Sequence, residues 1–322
     1  MKIINIFLKK IQELYYCKVK KMIIRLSKII FLNSFSKLEK KQKMILWKRK
    51  EEKYYNALFL QQTIGIKQGI NLLKAELKKE INILPRIIIV ISTRCSMKCE
   101  KCGEFIPYFE KKNDISTEYI IDEIYNLFRQ IDYIYTVEVI GGEPFIHKDF
   151  AKIMNTLFQF DSQINKIQVT TNAVFNIQSD IIHEIKNSKL EILISEYPNN
   201  KAKVCQLGKI LKEEGINFKI IRAKYWTDFG PICYNNLKNE QINHMYMQCN
   251  ASRDCRTLYM GNLFYCSRGP YMIENGYNPN RISIYSPNFK RKLYAFYNKV
   301  GKNTCGYCNY NRKPIPVAKQ IT

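Results

Sequence analysis

The chain of 322 residues has no run of about eighteen apolar residues, because a Lys or Arg interrupts every candidate stretch. A transmembrane helix is therefore not expected. Lys9, Lys10, Lys18, Lys20 and Lys21 break up the start in the same way, so no cleavable secretory signal is expected either. Histidine is scarce. His147, His183 and His244 are the whole set, and none stands in an evident Ser/His/Asp setting, so each reads as structural. Acidic residues are few, 28 against 52 Lys and Arg, for a formal net charge of +24. No internal repeat is apparent, which speaks against solenoids and propellers.

What is present is ordinary for a globular protein: 46% apolar and 25% charged residues. The length suits one large domain or two smaller ones. The positive charge is concentrated at the start, where the first fifty residues hold 15 Lys and Arg against two Glu. Such a basic end suggests an acidic partner: a membrane surface, a nucleic acid or a polyanionic substrate. Residues 1–30 read as an amphipathic helix. Ile4, Leu8, Ile11, Tyr15, Val19, Met22, Leu26 and Ile29 recur every three or four positions and fall in one sector. That face would lie on an anionic membrane surface or dock on protein. Residues 36–85 read as mostly helical, up to Pro85.

From Arg86 short β-branched runs alternate with helical stretches. Strands are expected at 87–92, 136–140, 166–171, 191–195 and 217–222, with helices at 117–130, 149–160, 179–186 and 201–214. Repeated strand–helix units imply a parallel sheet with right-handed crossovers. The expected fold class is α/β, a partial (β/α)6-type TIM barrel. A helical extension (1–85) precedes the core (86–248), and a small Cys-rich domain (249–322) follows it. In such folds the chemistry lies at the carboxyl ends of the strands.

Eleven cysteines are many for a chain without an export signal, and in a reducing compartment they suggest metal ligands. Cys95, Cys99 and Cys102 follow the first strand as C-x3-C-x2-C. Three thiolates so spaced can hold three corners of a cubane cluster and leave the fourth iron open. A structural zinc loop with a borrowed fourth ligand is the alternative. Gly141-Gly142-Glu143-Pro144 closes the second strand, where two glycines permit close approach to the backbone. Glu143 offers a carboxylate to an ammonium group. The third strand ends in Thr170-Thr171-Asn172 and the fourth in Ser195-Glu196, so one mouth collects these donors and acceptors.

In their order, these motifs resemble the radical S-adenosylmethionine superfamily, over roughly residues 86–225. The resemblance implies that Cys95, Cys99 and Cys102 hold a [4Fe–4S] cluster whose open iron is chelated by S-adenosylmethionine. Gly141, Gly142 and Glu143 resemble the loop that receives the methionine amino group. Thr171, Asn172 and Ser195 resemble further cofactor contacts, and Arg222 a carboxylate partner. The family usually has an aromatic residue just before the third cysteine. Here Lys101 stands there, so Phe105 and Tyr108 become candidates to pack the adenine. The implied reaction is reductive cleavage to a 5′-deoxyadenosyl radical that abstracts a substrate hydrogen, with a flavodoxin- or ferredoxin-type electron donor.

The second group, Cys249, Cys255, Cys266, Cys305 and Cys308, resembles the superfamily's SPASM or twitch extension and implies one auxiliary [4Fe–4S] cluster. Five candidates compete for four places, because Cys249 and Cys255 both precede the same expected hairpin. Cys233 is a weaker sixth. A structural zinc site is again the alternative. Cys17 and Cys205 lie in helical patterns and read as packing residues. The expectation is an oxidoreductase or maturase acting on a peptide or a cell-surface sugar precursor. It would be cytoplasmic, with residues 1–35 able to hold it at the inner face of the membrane. Two other readings compete: a non-catalytic zinc or iron–sulfur module that binds nucleic acid, and a glycyl-radical activase. The first lacks any aromatic-interleaved RNA-binding signature.

Overall fold

The computed structural model describes residues 83–249, 255–297, 302–310 and 312–321. The expected amphipathic helix, the helical stretch up to residue 82 and Cys17 lie outside the described residues. Among the described residues no helix is long and apolar enough to cross a membrane.

An eight-stranded sheet organises the chain, in the order β5-β4-β3-β2-β1-β7-β8-β9. The strands are β1 (Ile83–Val90), β2 (Tyr133–Ile140), β3 (Ile164–Thr171), β4 (Leu190–Ser195), β5 (Asn217–Ile221), β7 (Cys255–Tyr259), β8 (Asn262–Phe264) and β9 (Arg281–Ser283). The first five pair in parallel with their sequence neighbours, and β7 pairs in parallel on the free side of β1. β8 and β9 add antiparallel. This is the mostly parallel sheet of a partial TIM barrel. Its sixth parallel strand is β7, which returns beside β1 from the Cys-rich region rather than following β5.

The strand starts differ from expectation at one instructive place. β1 begins at Ile83 and runs through Pro85. A proline lacks only its N–H, so it is tolerated near the start of a strand although it ends a helix.

The crossover helices are α1 (Thr117–Gln130), α2 (Phe150–Phe158), α3 (Ser179–Glu184) and α4 (Lys201–Glu213). Ser116 caps α1 by accepting from the Tyr119 N–H at 3.3 Å. Ile120, Ile124, Leu127 and Phe128, spaced for one helical face, are buried against the sheet. On the sheet, Ile87, Ile89, Val137, Val139, Ile167, Val169, Ile192 and Ile194 are buried and meet those helices. Of the alternate positions, which face the other side, several on β2, β3 and β4 carry polar side chains. There Arg86 and Thr170 both bond Glu138, and Gln168, Lys166 and Lys219 converge on Glu191. Burial alone would raise Glu191. The Lys166, Lys219 and Gln168 bonds outweigh it and hold the group down to about 2.

One buried acid ties α1 to the β7–β8 hairpin. Glu123 accepts from the backbone N–H of Gly261, whose φ of +70° suits glycine in the turn. Its other oxygen has no partner among the described residues. Burial raises this carboxyl from 4.5 to about 7, against the lowering effect of the Gly261 bond. The folded chain therefore binds more protons than the unfolded chain between these values, and stability falls as pH rises through that window. Glu123→Gln keeps an acceptor but not the titration. The native chain should lose roughly 3 kcal/mol more than this variant between pH 4.5 and 8. Parallel thermal-melting curves across that range would refute the assignment.

Candidate functional site

The loop after β1 is held open by its neighbours. Ser92 Oγ donates to Asp114 at 2.7 Å, and Thr93 N–H donates to the Asn113 carbonyl at 2.9 Å. Gly142 N–H donates to Ser92 O at 2.9 Å and Glu143 N–H to Arg94 O at 2.8 Å. Those bonds bring two backbones into contact. A Cβ on Gly142 would lie 2.2 Å from Arg94 O and 2.7 Å from Cys95 Cβ, and one on Gly141 would lie 2.7 Å from Ser92 O. The glycine pair thus lets the second loop press against the cysteine loop itself.

Cys95, Cys99 and Cys102 are unbridged on this loop, with Cys99 buried and the other two half-buried. Burial pushes the Cys95 thiol up to about 11 and Cys102 to about 12, and nearby carboxylates, Glu143 and Glu104 respectively, add to it. Any metal must displace those protons on binding. Amide groups face two of the sulfurs: Asn172 Nδ2 lies 3.6 Å from Cys95 Sγ, and Gln320 Nε2 lies 3.3 Å from Cys99 Sγ.

Glu143 is fully buried and joined to the end of β3. It accepts from Thr171 Oγ1 at 2.8 Å and from the Asn172 N–H at 2.9 Å. Burial raises it to about 7, against those bonds. Asn172 Oδ1 in turn accepts from Ser96 Oγ at 3.1 Å. Ser195 closes the same edge: its carbonyl accepts from Asn200 Nδ2 at 2.8 Å, and its side chain bonds Tyr197. All six residues expected to surround a cofactor therefore lie along one connected edge beside Cys95. Arg222 lies on the exposed end of β5 and pairs with Glu196 at 2.9 Å.

Two sets of aromatic rings lie near the cysteine loop. Phe105 stacks on Tyr271, with centroids 5.0 Å apart, and carries the Arg268 guanidinium at 4.6 Å. With Tyr108 it also lines a cavity beside Cys102. Tyr108 is exposed and donates to the Glu100 carbonyl. Tyr197 and Trp226, in edge contact at 5.7 Å, pack on the cysteine loop. Trp226 belongs to β6 (Tyr225–Thr227), which pairs with β10 (Pro314–Pro316).

Four members of the second cysteine group are linked by their mutual charge effects. Cys266 and Cys305 are raised first by burial and then by neighbouring thiols: Cys308 and Cys249 for Cys266, and Cys308, Cys266 and Cys249 for Cys305. Cys249, Cys266, Cys305 and Cys308 thus lie together. Cys255 belongs to β7, in register with Arg86 and inside the main core. Cys233 is exposed, with its Sγ 3.6 Å from Asn235 Oδ1. Cys205 is exposed on α4, so it is not the packing residue its helical pattern suggested. Its spacing placed it on the helix but not on the buried face. Arg268, on α5 (Arg268–Glu274), reaches from Cys308 to Phe105. Its Nη1 donates to Cys308 Sγ at 3.0 Å while its plane covers Phe105.

Among the described residues, no three His, Cys, Asp or Glu side chains converge tightly enough to hold one metal ion. A cubane cluster takes its thiolates on separate irons and asks for a wider spread.

No family model matches the chain. It is 32% identical over 89 residues to a GTP 3′,8-cyclase of Limosilactobacillus fermentum, covering 27% of this chain and 26% of that protein. It is 24% identical over 160 residues to the GTP 3′,8-cyclase of Clostridium botulinum strain Hall, covering 48% of each. The crystal structure of BtrN in complex with AdoMet and 2-DOIA superposes with a TM-score of 0.51 at 12% identity, over 71% of this chain and 94% of that one.

These matches support the resemblance to the radical S-adenosylmethionine superfamily.

The chain spans about half the length, or less, of the curated relatives it matches. The likeness to BtrN is one of fold. Within its partial barrel, this chain puts the cysteine loop after β1, the glycine pair after β2 and the Thr171–Asn172 turn after β3, all at the carboxyl edge. Tyr197, Trp226, Arg268 and Gln320 were not singled out from the sequence. Tyr197 had a faint signal, two residues after the polar strand end at Ser195. The others had none, since each reaches its cysteine across a long stretch of chain.

Proposed function

We propose that the chain binds a [4Fe–4S] cluster through Cys95, Cys99 and Cys102 and uses it, with S-adenosylmethionine, to remove a hydrogen from a substrate. The observation that carries this is the loop itself: three free thiols on one short segment, with amide N–H groups aimed at two of their sulfurs. Thiols with such donors suit a cluster whose sulfurs accumulate negative charge. When bound, cluster and cofactor supply reductive cleavage of S-adenosylmethionine to methionine and 5′-deoxyadenosine, at the expense of a substrate C–H bond. The protein's part is to bind, orient and exclude water. The Gly141–Glu143 loop would receive the methionine amino group through its backbone, because the Glu143 carboxylate is already engaged by Thr171 and Asn172. Asn172 and Ser195 would contact the rest of the cofactor, and Tyr197 with Trp226 would offer it an aromatic wall.

Cys249, Cys266, Cys305 and Cys308 would hold the auxiliary [4Fe–4S] cluster, a reading supported by their mutual proximity. An auxiliary cluster can take the electron left on the substrate, making the net reaction an oxidation, as in an oxidoreductase or maturase. The substrate we favour is a hydroxyl-rich sugar precursor over a peptide. The inner face of the sheet presents linked polar groups, Glu138 with Thr170 and Glu191 with Gln168, that match hydroxyls better than apolar side chains. The basic residues 1–35 would bring the enzyme to lipid-linked substrates at a membrane surface, with a flavodoxin- or ferredoxin-type protein as electron donor.

The test is product analysis. Protein reconstituted without oxygen, reduced and given S-adenosylmethionine should release 5′-deoxyadenosine, faster with nucleotide-linked sugars than with peptide pools. Cluster-loaded protein that releases none would overturn the reading.

A further inference from the structure

The segment after β10 crosses the cysteine loop as a strap. Glu100 N–H donates to Lys319 O at 2.8 Å, Ile321 N–H donates to Lys98 O at 2.8 Å, and Cys99 bridges to Gln320 in antiparallel fashion. Ala318 and Val317 pack with Met97 and Cys99 beneath it. Gln320 stands at the centre. Its Oε1 accepts from the Lys98 N–H at 2.8 Å, and its Nε2 donates to Ala318 O at 2.7 Å. These two bonds set which end of the amide is nitrogen, and they aim Nε2 at Cys99 Sγ, 3.3 Å away. The strap therefore does more than cover the loop, because it delivers an oriented donor to one ligand sulfur from 221 positions away.

We propose that Gln320 is a positioning residue that raises the reduction potential of the cluster held by Cys95, Cys99 and Cys102; the inference rests on the function proposed above. An N–H directed at a cysteine sulfur stabilises the form that carries the extra electron, and hydrogen bonds to the sulfurs are among the determinants of iron–sulfur potentials. Removing the donor leaves that charge less well stabilised. Replacing the amide by a carboxylate also places a negative group beside the sulfur.

The experiment is a redox titration of the reconstituted full chain, followed by the paramagnetic signal that responds to added S-adenosylmethionine. Three variants are compared with the native chain. Gln320→Glu keeps the acceptor for Lys98 but loses the donor. Gln320→Leu loses both. Lys319→Ala removes the exposed Glu100 pair on the same strap and leaves Gln320 in place. At a fixed applied potential, Gln320→Glu should lower the reduced-to-oxidised ratio about tenfold, which is 59 mV for one electron. Gln320→Leu should move the same way by less, and Lys319→Ala should not move it. If Gln320→Glu and Gln320→Leu only bind less iron, while their loaded clusters titrate like the native one, Gln320 is a structural strap residue and the inference fails. If the native loop binds no iron–sulfur cluster at all, the function proposed above fails, and this inference with it.

Discussion

Alanine at Cys95, Cys99 and Cys102 together should lower the iron content of the reconstituted chain from about eight to about four atoms and abolish release of 5′-deoxyadenosine. The large effect follows from the local geometry. The three thiols are confined to eight residues of one loop, and among the described residues the second group gathers elsewhere, around Cys266 and Cys305. Misfolding should not mimic the result. The loop is positioned by backbone bonds at Ser92, Arg94 and Thr93, and by the strap at Lys98 and Glu100, none of which uses a sulfur. The variant should therefore melt close to the metal-free native chain and retain the auxiliary iron. Iron and sulfide assays on both proteins decide the matter. Unchanged iron in the triple variant would remove the loop from the cluster. Zinc alone, with iron and sulfide supplied, would return both cysteine groups to a structural role.

The second large effect separates Cys255 from its neighbours. Cys305→Ala should cost the auxiliary cluster, about four iron atoms per chain, whereas Cys255→Ala should leave all about eight in place. Cys305 is buried among Cys308, Cys266 and Cys249, and Arg268 already donates to Cys308 in that group. Cys255 sits one strand in, on β7 across from Arg86, where a ladder of parallel pairs from Arg86–Cys255 to Ile89–Leu258 fixes its place. Its side chain counts among the buried residues of the main core there. Cys255→Ala should thus lower the melting point modestly through lost packing and leave the visible spectrum intact. The opposite pattern, iron lost with Cys255 and kept without Cys305, would reassign the fourth ligand.

How much of this was legible beforehand follows from the range of each interaction. The alternation of β-branched runs with helical stretches carries the parallel sheet, and α1 begins and ends where its apolar spacing and Ser116 cap place it. C-x3-C-x2-C is legible because its ligands lie within one loop, where covalent spacing already limits where the sulfurs can go. Gly141 and Gly142 are visible as glycines, but their reason is not. The backbone they accommodate is that of Ser92 and Arg94, about fifty residues earlier, brought near only by the parallel pairing of β1 with β2.

Spacing is silent wherever the partner is distant. The sequence alone could nominate five cysteines for four places, since both Cys249 and Cys255 precede the β7–β8 hairpin. Only the sheet shows that Cys255 is the first residue of β7, paired to β1, and only the fold brings Cys249 near enough to Cys266 to raise it. The contacts of the aromatic rings have the same origin. Phe105 is near Cys102 in the chain, yet Arg268 and Tyr271 occupy its ring from the far end of the fold. The amino-acid sequence by itself determined the α/β class, the strand–helix order and the loop that carries the chemistry, because periodicity and short covalent spacing are local properties. The tertiary structure decided which side chains pack on the cysteine loop and that Gln320 reaches Cys99, because those depend on sheet order and on contacts closed over long stretches of chain, 221 positions for Gln320 and Cys99.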